Sequence, residues 1–226
     1  MKPIVIFGIG KIADVIQYYM REESNMDVKA FTVHGRYVRD DEFNGLPIVA
    51  FEELHLKYPS NQFDVFVAVG YQDMNNLRKC VMSELEDQGY NLVSYVHPNS
   101  GVSNDIKYGK NCFIMNQVNI HPRVVLGDGV FVWSGAMIGH HSKIGSYSWI
   151  TSSANIGGNV SIGENCFLAL NSNVSHSIEI GNEVFLGSNT LVTQNLNDGA
   201  AVIAENHKPI KFTSKQFLKF SSFNSL

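Results

Sequence analysis

Residues 124–145 read VVLGDGVFVWSGAMIGHHSKIG, and two interleaved columns with a spacing of six residues run through this stretch. Every sixth residue from Ile106 to Thr190 is small or aliphatic, and the column from Ile114 to Val192 contains only Ile, Leu and Val. A period of six fits neither a helix nor a single strand. It predicts short strands that turn a corner at a constant interval, which is the pattern of a solenoid.

A longer period of 18 residues lies inside the first, because a glycine and a large aromatic residue each return at that interval. The glycines are Gly109, Gly127, Gly145, Gly163 and Gly181, and the aromatic residues are Phe113, Phe131, Trp149, Phe167 and Phe185. Three hexads therefore make one coil, and the pattern predicts a triangular prism of about five coils. Cys112 and Cys166 fall in the small-residue column, so we expect buried thiols and not a disulfide.

The aromatic residues of this series need a cover. Each of them directly follows an inward-facing small residue, so strand alternation points it away from the interior of the prism. A stack of large rings on one outer face would form an apolar stripe larger than a monomer exposes. We consider two covers, the C-terminal tail of the same chain and the face of another subunit, and favour the second.

Composition excludes several classes of partner. The chain has 226 residues, a net charge of −4 and no block of basic residues, which argues against nucleic acid and against an anionic membrane surface. Its three cysteines form neither a disulfide framework nor a paired metal motif. The apolar run Ile4–Phe7 is far too short for a signal peptide or a membrane span. We therefore expect a cytoplasmic protein.

Residues 1–98 lack the six-residue period and alternate between predicted strands and helices. This alternation indicates a small Rossmann-like α/β domain with a parallel sheet. Its predicted strands are Ile4–Phe7, Val28–Val33, Ile48–Leu54, Asp64–Val69 and Leu92–Val96, and its predicted helices are Asp14–Glu23 and Asn75–Gln88. The sequence thus predicts three parts: an α/β domain (1–98), an all-β prism (99–196) and a C-terminal tail (197–226) that caps the prism.

The segment Gly8–Ala13 follows the first strand and matches the G-x-G-x-x-A fingerprint of dinucleotide-binding turns. Gly8 would allow the tight turn, and Gly10 would let the backbone approach a phosphate at the helix N-terminus. The full fingerprint also has a carboxylate at the end of the second strand, where this chain has Val33-His34-Gly35. We therefore expect no hydride-transfer cofactor. A nucleotide diphosphate on this loop is the favoured interpretation, and a glycine turn that serves only packing is the alternative.

The ladder resembles that of the hexapeptide-repeat acyltransferases, which are trimeric and fold as a left-handed parallel β-helix. With its Gly-rich loop, the chain is similar to the bacterial nucleotide-linked amino-sugar N-acetyltransferases and the related sialic acid O-acetyltransferases. The resemblance implies acetyl-CoA as co-substrate, no metal, and a sugar nucleotide held on two loops of the α/β domain. The matching positions are Gly8, Gly10 and Lys11 on one loop and Gly70 and Tyr71 on the other for the sugar nucleotide, and Gly158 beside acetyl-CoA. We also expect His34 to contact the sugar nucleotide, and Leu170, Ser188 and Lys208 to contact acetyl-CoA.

Two departures from that family concern the nucleotide. Relatives often have a second Gly and a His where this chain has Lys11-Ile12, and several have an acidic pair where it has Val33-His34. UDP, dTDP and GDP therefore all remain open.

The resemblance also points to a catalytic histidine. In the family, an Ile-x-His is followed by an acid, and the His is the general base. The matching stretch is Ile138-Gly139-His140-His141, so His140 is the expected base and His141 stands at the carboxylate position. An imidazole suits this role because it takes up a proton near neutral pH as the acyl bond forms. Gly158, one coil later, would direct its N–H at the developing oxyanion.

A metal site is the alternative role for the histidines of the coils. Stacked coils are about 4.8 Å apart, so His140 and His176, two coils apart, cannot share an ion whose ligands lie about 2 Å from it. His121, His140 and His141 lie on adjacent coils, which keeps open a zinc site between subunits, as in carbonic anhydrases with the same helix.

The expected function is transfer of acetyl from acetyl-CoA to the amino group of a nucleotide-linked amino deoxysugar. The product would serve surface polysaccharide such as lipopolysaccharide O-antigen, and the enzyme would be a homotrimer with active sites between subunits. The alternatives are acetylation of a sugar hydroxyl and a non-catalytic protein that binds a sugar nucleotide.

Overall fold

The computed structural model describes residues 2–205, 209, 211 and 213–216. Its first domain consists of β1 (Ile4–Phe7), α1 (Lys11–Arg21), β2 (Val28–Val33), β3 (Glu42–Phe43), β4 (Leu46–Ala50), α2 (Leu54–Lys57), β5 (Asp64–Val67) and α3 (Asn76–Asp87). The strands are ordered β3-β4-β2-β1-β5. The Rossmann-like domain is confirmed. Its sheet is mixed and not wholly parallel, because Asn44 and Gly45, with φ of 49° and 72°, close a hairpin between β3 and β4.

The rest of the described chain is a parallel β-helix built almost entirely of two-residue strands. In chain order they are β6 (Tyr95–Val96), β7 (Gly101–Val102), β8 (Lys107–Tyr108), β9 (Phe113–Ile114), β10 (Asn119–Ile120), β11 (Val125–Leu126), β12 (Phe131–Val132), β13 (Met137–Ile138), β14 (Lys143–Ile144), β15 (Trp149–Ile150), β16 (Asn155–Ile156), β17 (Ser161–Ile162), β18 (Phe167–Leu168), β19 (Asn173–Val174), β20 (Glu179–Ile180), β21 (Phe185–Leu186), β22 (Leu191–Val192) and β23 (Ala201–Val202).

Three sheets form the sides of the prism, and each coil contributes one strand to each sheet. We call β6, β9, β12, β15, β18, β21 and β23 the aromatic face; β7, β10, β13, β16, β19 and β22 the asparagine face; and β8, β11, β14, β17 and β20 the charged face. The two hydrophobic columns of the sequence line the interior. Burial raises the pKa of the Cys112 thiol to about 12 and that of Cys166 to about 11, so both are neutral, buried groups as expected.

The prism extends beyond the six-residue ladder at both ends. The strand predicted over Leu92–Val96 is divided, since Leu92 bridges Val65 of β5 whereas β6 pairs with β9 in the aromatic face. At the other end, Phe185 pairs with Ala201, an offset of 16 residues and not 18. The last coil is therefore two residues shorter, which hides it from a search for the regular period.

The α/β domain of the same chain covers Phe113, Phe131, Trp149 and Phe167, and Phe185 stays partly exposed. For the four buried rings, both covers that we considered are therefore wrong. Phe113 and Phe131 are 0% exposed, and the ring of Phe66 in β5 lies 6.0 Å and 5.8 Å from theirs. The sheet of the α/β domain has an apolar surface of its own to bury. Packing this surface against the aromatic column removes both from water and forms one continuous core.

Polar side chains fix the edges of this domain interface. The side chain of Asn111 in the prism bonds both the N–H and the carbonyl of Val67, at 2.7 Å and 3.1 Å. It thereby satisfies backbone groups on the edge strand β5. Near the corner between the aromatic and asparagine faces, the hydroxyl of Tyr19 on α1 donates to Asn116 at 3.4 Å. None of the helices in this described part of the chain is long and apolar enough to cross a membrane.

Candidate active site

The first part of the candidate site is a crevice at the carboxyl ends of β1 and β5. These strands are neighbours at the point where the strand order reverses, which is where open α/β sheets bind ligands. Gly8 has φ of 126°, and a Cβ on it would come within 2.9 Å of the Ala68 carbonyl oxygen, so only glycine fits. The structure thus brings the predicted loop of Gly8, Gly10 and Lys11 to the end of β5, where the loop of Gly70 and Tyr71 begins.

The N-terminus of α1 opens toward this crevice. Gly10 is its N-cap residue and makes no side-chain hydrogen bond to the helix. A Cβ on Gly10 would meet nothing within 4 Å, so packing does not require glycine here. Free N–H groups in the first turn favour an anion such as a diphosphate. Lys11, exposed in the same turn, adds a positive charge.

His34 lies half-buried at the end of β2, with its ring against Phe7 and Phe51. Its Nδ1 is 3.9 Å from Glu52 Oε1, and its Nε2 is 3.4 Å from Glu84 Oε2. Both ring nitrogens therefore face carboxylates of the protein itself.

Glu52 was missed by sequence reasoning. Its side chain accepts a hydrogen bond from the Gly35 N–H at 2.9 Å, and its own backbone N–H and that of Gly35 lower its pKa. A carboxylate therefore does stand at the end of β2, supplied by the segment that follows the neighbouring strand. The parallel pairing of Val33 with Ala50 is the relation that would have located it.

The second part of the site is the corner between β13 and β14, where the asparagine and charged faces meet. His141, Asn159 and Ser177 hold the same left-handed position in three stacked turns, with φ of 62°, 59° and 57°. His140 Nδ1 lies 3.1 Å from His141 Nδ1, so one ring donates an N–H and the other accepts it. A groove of about 300 Å³ opens beside His141 on the charged face.

The ring of His140 lies over Gly158, as the ladder predicts. A Cβ on Gly158 would come within 2.7 Å of His140 Nε2. In the tautomer that donates Nδ1–H to His141, this Nε2 carries a free lone pair. Among the described residues nothing accepts a hydrogen bond from the Gly158 N–H. A base and a hydrogen-bond donor therefore stand side by side, as acyl transfer to an amine requires.

The other predicted residues lie apart from this pair. Leu170 and Ser188 stack one coil apart at the corner between the aromatic and asparagine faces, across the asparagine face from His140. Lys208 lies outside the described residues. No group of three or more His, Cys, Asp or Glu side chains in the described part of the chain is arranged to hold a metal ion.

Comparisons with known proteins agree with this architecture. Residues 109–140 match the family model of the bacterial transferase hexapeptide (six repeats), and a comparison with curated protein sequences found no match. PerB from Caulobacter crescentus, solved with CoA and GDP-perosamine, is 25% identical, with a TM-score of 0.80 over 90% of this chain and 95% of that chain.

Two further solved structures are similar. The acetyltransferase domain of PglB from Neisseria gonorrhoeae FA1090 with acetyl coenzyme A is 22% identical, with a TM-score of 0.80 over 92% of this chain and 99% of that chain. A variant of perosamine N-acetyltransferase from Caulobacter crescentus, with CoA and GDP-perosamine, is 24% identical, with a TM-score of 0.71 over 90% of this chain and 94% of that chain. Together with the family model, they confirm the left-handed β-helix behind an α/β domain. The chain therefore contains a stretch that matches the bacterial transferase hexapeptide model, and it has the fold of the sugar acyltransferase structures to which it is similar.

Proposed function

We propose that this protein transfers the acetyl group of acetyl-CoA to the amino group of a nucleotide-linked amino deoxysugar. The observation that carries the proposal is the closeness of His140 Nε2 to Gly158, whose N–H is unpartnered among the described residues. The similarity to PerB, which binds CoA and GDP-perosamine, supports this substrate class. In this proposal residues 1–98 hold the sugar nucleotide and residues 99–196 carry out the transfer.

The chemistry follows from the two groups at the corner. His140 Nε2 takes a proton from the sugar amine as the amine nitrogen attacks the thioester carbonyl. The Gly158 N–H donates to the carbonyl oxygen, on which negative charge develops. His140 then gives the proton to the departing thiolate. A C–N bond forms, a C–S bond breaks, and no net proton is consumed. His141 holds the tautomer of His140 through their Nδ1 contact of 3.1 Å.

In this proposal the sugar nucleotide binds at the carboxyl edge of the sheet. Its diphosphate would lie on Gly8, Gly10 and the first turn of α1, where Lys11 offsets its charge. Gly70 and Tyr71 would contact it from the other loop. Glu52, beside His34, stands where the acidic residue of the dinucleotide fingerprint binds a ribose.

We propose that each active site is shared between two subunits of a homotrimer. Within one chain, the nucleotide crevice belongs to the domain that covers the aromatic face, whereas His140 lies at the corner opposite that face. A prism side of six residues is at most about 20 Å long, and the packed interior of the prism fills the space between. A neighbouring subunit is needed to bring a nucleotide to His140. It would also bring the corner of Leu170 and Ser188 close to acetyl-CoA.

Acetyl-CoA and sugar nucleotides are cytoplasmic metabolites, so we place the reaction in the cytoplasm. The acetylated sugar would then enter surface polysaccharide such as lipopolysaccharide O-antigen.

The test is an acetyl-transfer assay with GDP-, UDP- and dTDP-linked amino deoxysugars and with their hydroxy analogues. The rate is measured as CoA release, and the product is identified by mass spectrometry. The proposal predicts an acetylated amino sugar with one of the nucleotides and no product from its hydroxy analogue. Preferred acetylation of the hydroxy analogue would instead make the protein an O-acetyltransferase. Nucleotide binding without any transfer would make it a binding protein.

A further inference from the structure

A buried arginine joins the α/β domain to the prism. Arg78 on α3 is 0% exposed, and desolvation lowers its pKa to about 9, which leaves it charged at neutral pH. No carboxylate of the described residues forms an ion pair with it, and none contributes to its pKa. Burying a charge without a counter-ion is unfavourable unless every donor is satisfied.

The hydrogen bonds of Arg78 satisfy that condition and connect two parts of the molecule. Its five N–H donors have five acceptors. Two belong to consecutive coils of the prism, the carbonyls of Gly129 and Tyr147. Three belong to the segment between β5 and α3: the carbonyls of Val69, at 3.4 Å, and Gly70, at 3.1 Å, and Oδ1 of Asn75, at 3.1 Å.

The aromatic column holds the same guanidinium from the side of the prism. Its central carbon lies 4.7 Å from the ring centroid of Phe131 and 5.2 Å from that of Trp149. Such contacts stabilise a desolvated cation. The predicted apolar stripe therefore also binds the buried guanidinium of Arg78 through cation–π contacts.

Asn75 extends the connection to a third coil. It occupies the N-cap position of α3, yet its side chain makes no capping hydrogen bond. The amide instead donates to the carbonyls of Asn165, at 3.3 Å, and Cys166, at 3.2 Å. A residue type that usually caps its own helix is used here to anchor the helix to the prism.

The backbone before α3 depends on these anchors. Asp73, Met74 and Asn75 have φ of 51°, 45° and 69° in succession. Left-handed conformations are sparsely populated for residues other than glycine, and they persist where the surrounding structure fixes them. Residues 73–75 are therefore held in an unfavourable conformation by the hydrogen bonds of the Arg78 and Asn75 side chains.

We infer that Arg78 is a positioning residue. It fixes the segment 69–75 on the prism, so that the sugar nucleotide is held at one position along the prism axis and in one orientation. The inference rests on the proposed function, in which Gly70 and Tyr71 contact that nucleotide. Gly70 accepts a hydrogen bond from Arg78, and Tyr71 packs on Trp149 and Phe167, at 5.6 Å and 4.7 Å between ring centroids. A displaced segment would move the acceptor amine relative to the base on the neighbouring prism.

The test compares two variants with a matched control. Arg78→Lys keeps the charge but loses the fork of donors, and Asn75→Gly keeps the left-handed backbone but loses the anchor. Lys79→Met is the control, because the Lys79 side chain pairs with Glu164 across the same domain boundary, at 3.8 Å, and makes no hydrogen bond to the segment. The hydrogen bond from the Lys79 backbone N–H to the Asn75 carbonyl, at 3.2 Å, is kept in this variant. Calorimetry gives the Kd of acetyl-CoA and of the nucleoside diphosphate (GDP, UDP or dTDP) that the unmodified protein binds most tightly.

We expect Arg78→Lys and Asn75→Gly each to weaken nucleoside diphosphate binding, and to raise KM for the nucleotide sugar, by about 10-fold, the effect of one charge-assisted hydrogen bond. Binding of acetyl-CoA should stay within about 2-fold, because only the segment is released and the prism is unchanged. The control should match the unmodified protein for both ligands.

Folded variants that bind both ligands with the affinity of the unmodified protein would overturn the inference. An equal loss of affinity for both ligands would also overturn it, because that result indicates a general structural role. If Arg78→Lys does not fold, Asn75→Gly alone decides by the same criteria. An unmodified protein that binds none of the three diphosphates would overturn the proposed function, and the inference with it.

Discussion

Replacing Gly158 with alanine should slow acetyl transfer while leaving the fold intact. The new Cβ would lie 2.7 Å from Nε2 and 2.8 Å from Cε1 of His140, whereas carbon atoms in ordinary contact are about 3.5 Å apart or more. The ring must therefore move by about 1 Å. His140 is exposed and Gly158 has no positive φ, so the ring can swing toward solvent without strain in the core or the backbone.

A catalytic group misplaced by about 1 Å costs roughly 100-fold in rate, which corresponds to about 2.7 kcal/mol of activation free energy. We therefore expect kcat to fall about 100-fold while Tm stays within about 2 °C. Steady-state CoA release and thermal unfolding measure the two quantities. His176→Ala, two coils away at the same corner, is the control and should keep full activity. A Gly158→Ala variant with kcat near that of the unmodified protein would refute the assignment of His140 and Gly158 as the reacting pair.

Three further predictions concern the same sites. His141→Ala should lower kcat about 10-fold because the Nδ1 contact that orients His140 is lost. His141→Asp should keep most of the activity, because aspartate tolerates the left-handed backbone and restores a partner for His140. Equal kcat in the unmodified protein and both variants would show that His141 has no role in the site. Gly10→Glu should abolish nucleotide binding in calorimetry without lowering Tm, since a Cβ at this exposed position meets nothing within 4 Å and the side chain adds a carboxylate at the N-terminus of α1. Undiminished binding would mean that the nucleotide lies elsewhere. A thiol reagent should titrate only exposed Cys80 in the native chain and all three cysteines after unfolding, because burial raises the pKa of Cys112 and Cys166; fast reaction of a second thiol would contradict this packing.

The prism could be predicted from sequence because each of its strands repeats the same local residue pattern. An inward aliphatic residue, a small corner residue and a turn recur at a fixed interval, so neighbouring coils need no long-range information to find their register. The same regularity placed His140 next to Gly158 on the following coil. The final coil was not predicted because it is two residues shorter than the others.

The domain interface could not be predicted in this way because it depends on which two surfaces meet. An arginine within α3 has the pattern of a solvated helix residue, and only the position of α3 against Phe131 and Trp149 shows that it is buried. Glu52 was missed for a similar reason, since it follows β4 in the chain but lies at the end of β2.

Mixed oligomers of two inactive variants test most directly the claim that one subunit supplies the base and another the nucleotide. His140→Asn removes the base, and Gly10→Glu blocks the nucleotide crevice. When equal amounts of the two chains assemble at random, about one quarter of the sites between subunits receive both intact parts. We predict that the mixture recovers about one quarter of the activity of the unmodified protein. A mixture that forms trimers and stays as inactive as each variant alone would contradict the account.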